Sequence, residues 1–256
     1  MDSLDSRLSE RGYLSQRREP GPGEHMYLHL SDLSLAVRAA VADLSPPADV
    51  LDFGCGGSPY RHLFEHANYR RADFASPPDD ACGLDYQIGT DGRIDAQPES
   101  FDLVLSTQVL EHVEDVEGYL RQCADLLRPG GRLLLTTHGT FEDHDCPHDF
   151  RRWTAYGLRH DIGKAGFEVT ATRKLTTDAR AVAFLLRLKS AWMWSSRGFG
   201  VLFWLVHSLL TRHARAFDVW CDKRFARCRV VDSEEPGHTL YVAVLVVARK
   251  KAASAG

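Results

Sequence analysis

Residues 50–60 read VLDFGCGGSPY. Val50, Leu51 and Phe53 flank Asp52 in a short apolar run, the pattern of a buried strand. Gly54 and Gly56 then permit a tight turn in which backbone N–H groups can approach a ligand, and the start of a following helix favours an anion. A dinucleotide site wants a third glycine where this chain has Pro59, directly after Ser58. The stretch marks the first strand–turn–helix unit of an alternating fold. By itself it leaves open whether the turn holds a cofactor or is a plain connection.

Working outward, strands and helices alternate. A helix is expected over 27–44, ended by SPPADV, and another over roughly 59–67. YRRADF is the second strand, and ACGLDYQI holds a weak third. FDLVLST (101–107) is a buried parallel strand. VEGYLRQCADLL (116–127) is an amphipathic helix stopped by RPGG, and RLLLTTH (132–138) is the next strand. A helix over 154–166 with Thr154 as N-cap, the strand FEVTATRKL and the strand TLYVAVLVVARK (239–250) complete the series. Such alternation implies a mostly parallel sheet with helices on both faces, and ligands at the carboxyl ends of its strands.

Acidic residues sit at those ends. Asp73 closes the second strand, where a carboxylate can accept both hydroxyls of a ribose, although a solvated loop aspartate reads the same way. Asp91, in GTDGRID, can accept a hydrogen bond from an exocyclic amine such as that of adenine. Asp85 and Asp95 are rivals, and a simple turn aspartate is the plain alternative for all three.

These segments together resemble the class I S-adenosylmethionine-dependent methyltransferases. The resemblance is carried by VLDFGCGGSPYRHLF, YRRADF, DGRIDAQPESFDLVLSTQVLEHV, LRQCADLLRPGGRLLLTTHG and DFRRWTAYGLRHDIGKAGFEV, and covers roughly residues 48–170. FDLVLSTQVLEHV followed by LLRPGGRLLLTT is its most specific part. It implies a Rossmann-like, seven-stranded, mostly parallel sheet whose last strand is antiparallel. It also implies that Asp52, Gly54 and Gly56 form the methionine-binding turn, that Asp73 is the ribose acid, and that Asp91 and Gly92 lie at the adenine edge. Ser106, Thr107 and Gln108 would lie against the methionine part. Ser58 and Pro59 fit this cofactor better than a dinucleotide, because S-adenosylmethionine has no pyrophosphate to approach the third glycine position.

The loop THGTFEDHDCPHDFRRWT (137–154) follows a strand and so lies where an acceptor would meet the methyl group. Methyl transfer needs alignment, exclusion of water and, for a hydroxyl nucleophile, a base. His138, His144 and His148 are the candidate bases. The DHDCPHD cluster has ligand types that suit several divalent ions, although no metal is expected. His112, in LEHV, is a further candidate with a structural alternative. Tyr60, Arg152 and Trp153 are candidate acceptor-binding residues; Arg152 and Trp153 can equally anchor the loop.

The organisation expected is an N-terminal arm and helix (1–45) acting as a lid, a cofactor-binding core (46–175), a helical insertion (176–235) and the last core strand with its tail (236–256). The insertion holds four of the chain's five tryptophans and reads as two apolar helices that pack on the sheet edge, on a homodimer partner, over the acceptor, or against a membrane surface. Its longest apolar run, GFGVLFWLVHSLL, falls short of the ~20 residues of a membrane span. The 256 residues carry a net charge of −4, which gives no electrostatic case for a nucleic-acid partner. Six cysteines without a CxxC pair, and a polar N-terminus, point to reduced thiols in the cytoplasm. The function expected is O-methylation of a small acceptor, with a sugar hydroxyl of a glycan, glycolipid or glycosylated metabolite first. N-, C- or carboxyl-methylation and an inactive binding subunit are the alternatives.

Overall fold

The computed structural model describes residues 10–74, 83–195, 200–233 and 239–251; residues 1–9 of the arm and Cys82 lie outside them. The chain divides into two compact units, Met1–Ala36 with Leu175–Val231 and Pro236–Val242, and Val37–Lys174 with Asp232–Glu235 and Ala243–Gly256.

The strands are β1 (Asp49–Phe53), β2 (Asn68–Asp73), β3 (Tyr86–Gln87), β4 (Phe101–Thr107), β5 (Leu127–His138), β6 (Phe167–Thr177), β7 (Val230–Asp232) and β8 (Tyr241–Lys250). They form one sheet in the order β3-β2-β1-β4-β5-β8-β6-β7. β1 pairs parallel with β2 and β4, β4 parallel with β5, and β5 antiparallel with β8. The mostly parallel sheet with an antiparallel last strand is as expected, with β7 as an eighth strand. The core of the sheet-bearing unit is the apolar run of each central strand: Val50, Leu51, Phe53, Leu103–Leu105, Leu133–Leu135 and Val244–Val246 are all 2% exposed or less.

Three local expectations are corrected. No α-helix follows the glycine turn: the chain makes a single 3-10 turn, Arg61–Leu63, before β2 begins at Asn68. Ser58 takes a left-handed backbone (φ 53°), and that excursion with Pro59 leaves too few residues for a helix. The RPGG segment does not separate α3 (Val116–Leu126) from β5 but lies inside β5 as a bulge: Phe101 pairs with Leu127 and Leu103 with Arg132, so Arg128–Gly131 are extruded. The connection between β6 and β7 holds three helices rather than two, α5 (Asp178–Ser195), α6 (Gly200–Arg212) and α7 (Ala214–Arg224).

Among the N-terminal residues, α1 (Glu10–Arg18) is helical and α2 spans Tyr27–Val41. The helical unit is tied internally by buried ion pairs. Arg180 donates to Asp32 at 2.7 and 3.0 Å, Arg229 donates to Asp32 at 2.7 Å, and Arg180 pairs with Asp222 at 2.9 Å. α4 (Ala155–Lys164) starts as expected, with Thr154 Oγ1 accepting from Gly157 N at 3.0 Å. Among the described residues, no helix is long and apolar enough to cross a membrane.

Candidate active site

The sheet register brings the glycine turn, the segment after β4 and the end of β5 to one edge. Asp52 is level with Leu105, and Thr107 with Thr136. Gln108, held at φ 56°, donates its backbone N–H to Thr136 O at 2.9 Å, which fixes the exit from β4 against β5. Gly54 (φ 77°) has no room for a side chain: a Cβ there would lie 2.7 Å from a methyl of Val109. Gly56 (φ 47°) has nothing within 4 Å on its Cβ side, so the turn is open there. Its N–H donates to Asp73 at 2.6 Å, and Phe74 N donates to the other oxygen of the same carboxylate at 2.7 Å.

These residues fit S-adenosylmethionine. Asp73 is a half-exposed carboxylate beside an open glycine turn, the donor–acceptor set that a ribose diol needs. Asp52 is buried and receives the Tyr69 hydroxyl, so it secures the base of the turn. Asp91 is exposed and caps its own turn, accepting from Arg93 N at 3.1 Å, while Gly92 has φ 75°. Gln122 of α3 clamps that loop, accepting from Ile94 N at 2.9 Å and donating to Gly92 O at 3.0 Å. Ser106 is buried with its hydroxyl bonded to Tyr119 at 2.8 Å, and Thr107 is nearly buried, so Ser106 joins β4 to α3 through its side chain. Ser58 is held by Arg71, whose Nε donates to its hydroxyl at 2.9 Å.

The second half of the site is a histidine–carboxylate cluster. His138, at the end of β5, has Nε2 3.4 Å from Glu111 Oε1 and stacks on Phe141 with centroids 4.1 Å apart. Glu111 is wholly buried and accepts from Thr137 Oγ1 at 2.8 Å. Burial pushes its carboxyl above the usual range, opposed by hydrogen bonds and by His112 and His144. His144 sits edge-on to His138 at 5.0 Å and to His112 at 4.8 Å. Its Nδ1 lies 3.5 Å from Asp149 Oδ2 and 3.3 Å from Glu142 O. The hydrogen bonds from Arg152 hold the Asp149 carboxyl well below its ordinary value, so it stays an anion.

Several sequence candidates stand elsewhere. The His148 ring is exposed, and its carbonyl accepts from His112 Nδ1 at 2.9 Å. Arg152 does not reach outward: it donates twice to Asp149, at 2.5 and 2.6 Å, and to Glu142 O at 2.7 Å. Trp153 is buried, with its indole N–H on Asp161 at 3.0 Å. Both are loop anchors. Tyr60 is 0% exposed, buried behind the turn. Sequence reasoning missed Glu111, Gln122 and Arg71. Only Glu111 carried a signal, as the acid beside His112 in LEHV.

The cluster can do two things. A histidine at this position can take a proton from a hydroxyl nucleophile. The same atoms can hold a cation: Glu111, His138 and His144, or His112, His144 and Asp149, each offer three ligand atoms within 4.8 Å of one another. At the second group the Arg152 guanidinium already neutralises Asp149 and opposes a metal.

Known proteins share this fold and its methyltransferase domain. A relative from Parvibaculum lavamentivorans named ubiquinone biosynthesis O-methyltransferase is 33% identical over 99 residues, covering 34% of this chain and 39% of that protein. Matches to further relatives of the same name reach about three fifths of their length. The fold is similar to that of the 4+2 cyclase SpnF (TM-score 0.54, 16% identity, 88% of this chain and 83% of that one). It is also similar to phosphoethanolamine N-methyltransferase 2 of Haemonchus contortus bound to S-adenosyl-L-methionine (0.54, 15%, 97% and 59%). The family model described as a methyltransferase domain matches residues 24–165, more than half of the chain. The chain belongs to this methyltransferase-domain family, of the class I S-adenosylmethionine-dependent type.

Proposed function

We propose that this protein transfers a methyl group from S-adenosylmethionine to a hydroxyl oxygen, with His144 as general base. One observation carries the reading: a half-buried imidazole stands between a fixed aspartate and a buried glutamate, on the loop that follows β5 beside the cofactor segment. The cofactor supplies a methyl carbon already activated by its sulfonium. The chain's own residues must hold the acceptor in line, exclude water and accept a proton. Nδ1 of His144 lies near two acceptors, Asp149 Oδ2 and Glu142 O, and one donor, Arg152 Nη2 at 3.4 Å, and Nε2 is the atom proposed as the base. His138 and Glu111 stand within 4.8 Å of His144.

The acceptor proposed first is a sugar hydroxyl. The exposed Asp143, Asp145 and His148 of the loop offer several hydrogen-bonding groups to a polyhydroxylated molecule. The relatives' name supports a second reading, an acceptor in ubiquinone biosynthesis. The test is transfer of labelled methyl to panels of both kinds, with His144→Ala and His148→Ala beside the parent. His144→Ala should lower kcat by about 10²–10⁴ and His148→Ala by little. Retained activity in His144→Ala would remove the base and favour a carboxylate acceptor. Absence of cofactor binding by titration calorimetry, with the protein folded, would favour the inactive binding subunit.

A further inference from the structure

We propose that the exposed face of α6 and α7 docks on an anionic lipid bilayer. On α6, Trp204, Leu205 and Leu209 are exposed, between 46% and 60%. At 100° per residue they fall with Arg212 in an arc of about 140°. On α7, Val219 and Trp220 are exposed, at 37% and 52%, interleaved with exposed Arg215, Lys223 and Arg224 over about 180°. Trp220 is held in place by ring contacts with Phe217 and Phe225. The helices are joined by His213 alone, whose N–H bonds Leu209 O and whose carbonyl accepts from Phe217 N.

The charges on these helices are sorted by sign. Their two acids both turn inward: Asp218 is buried, pairs with Arg187 and accepts from Gly23 N at 2.7 Å. Asp222 pairs with Arg180 at 2.9 Å and accepts from the Tyr27 hydroxyl at 2.5 Å. The exposed charged residues, Arg212, Arg215, Lys223 and Arg224, are all basic, on a chain whose net charge is −4. Tryptophan with aliphatic side chains beside Arg and Lys is the composition of a helix lying in a bilayer interface. A second copy seated face to face would oppose like charges. A nucleic acid would leave Leu205 and Leu209 without a partner.

The test is co-sedimentation of the full chain with phosphatidylcholine vesicles, with or without about one third phosphatidylglycerol, at low and high salt. Binding is expected only with the anionic lipid, and weaker by at least about tenfold in 0.5 M salt. Arg215→Gln with Arg224→Gln should weaken it about thirtyfold, at about fivefold per cation. Trp204→Ser with Trp220→Ser should also weaken it, with circular dichroism and urea midpoint unchanged as proof of folding. The proposal is overturned if the parent ignores anionic vesicles at low salt, or if the charge variant binds as well as the parent. It is equally overturned if heparin or RNA is retained while vesicles are not, or if sedimentation shows a dimer that the tryptophan variant dissociates.

Discussion

Replacing Arg152 by Met decides whether this guanidinium holds the loop or meets the acceptor. Its two terminal nitrogens bond Asp149 at 2.5 and 2.6 Å and also reach the carbonyls of Arg151 and Glu142, at 2.8 and 2.7 Å. The Asp149 side chain is 2% exposed and that of Arg152 23%. The variant therefore strands a buried carboxylate whose remaining support is the His144 N–H and ring. Removing one partner of a buried pair costs about 3–5 kcal/mol. Water can replace part of the loss on the exposed side, which brings the expectation to about 2–3 kcal/mol. If the loop opens locally, amide exchange over residues 139–153 should accelerate by roughly 30- to 150-fold. Adding Asp149→Asn removes the stranded charge, and the pair should be less than additive by at least about 1 kcal/mol. Because His144 loses a fixed neighbour, kcat should fall while KM for the acceptor changes by less than about threefold. Exchange mass spectrometry, urea denaturation and steady-state kinetics read these effects. Unchanged exchange and urea midpoint, with KM raised tenfold, would refute the loop-anchor role and return Arg152 to the acceptor.

Titration separates the two carboxyls. The Asp149 carboxyl is depressed in the fold, so its stability contribution is full above its unfolded value of about 3.9 and drains away as pH falls toward the folded value. The parent minus Asp149→Asn difference in urea midpoint should therefore shrink in acid. Glu111 has the opposite sign: its carboxyl is raised, so stability falls as pH climbs from about 4.3 through the folded value. Glu111→Gln should raise the melting temperature above neutral pH, measured by calorimetry, while lowering kcat. Asp73→Asn should weaken cofactor binding by roughly 10- to 100-fold in titration calorimetry, the loss of charge-assisted bonds to a diol. Gly54→Ala should destabilise by about 2–4 kcal/mol from its left-handed backbone and the clash with Val109, and Val109→Ala in the same chain should relieve part of it. Activity after dialysis against a chelator should be unchanged under the base mechanism; loss restored by a divalent ion would transfer the cluster to metal chemistry.

The alternation of strands and helices was legible because it rests on local signals. Apolar runs end at Asp52, Asp73 and Thr107, and each end falls at the same side of a parallel sheet. The missing helix after the turn was not, because Ser58 is ordinary in composition and only its φ of 53° shows that the chain turns aside. Tyr60 read as a pocket wall by its place after the turn, yet that excursion buries it completely. The direction of Arg152 and the burial of Glu111 depend on which strands pair, a long-range property that no window of sequence contains. The break at His213 was hidden because apolar periodicity runs through it.

The bulge in β5 separates two mechanical demands on one strand. At its amino-terminal end Arg128–Gly131 loop out, with Gly130 at φ 76° and nothing within 4 Å of its Cβ side. From Arg132 to His138 the same strand is locked residue by residue to β8. A change in chain length at Gly130 can therefore be absorbed without shifting the position of His138. For an engineer, this makes the Gly130 tip a permissive site for a peptide tag or a fluorescent reporter, at the opposite end of β5 from the chemistry.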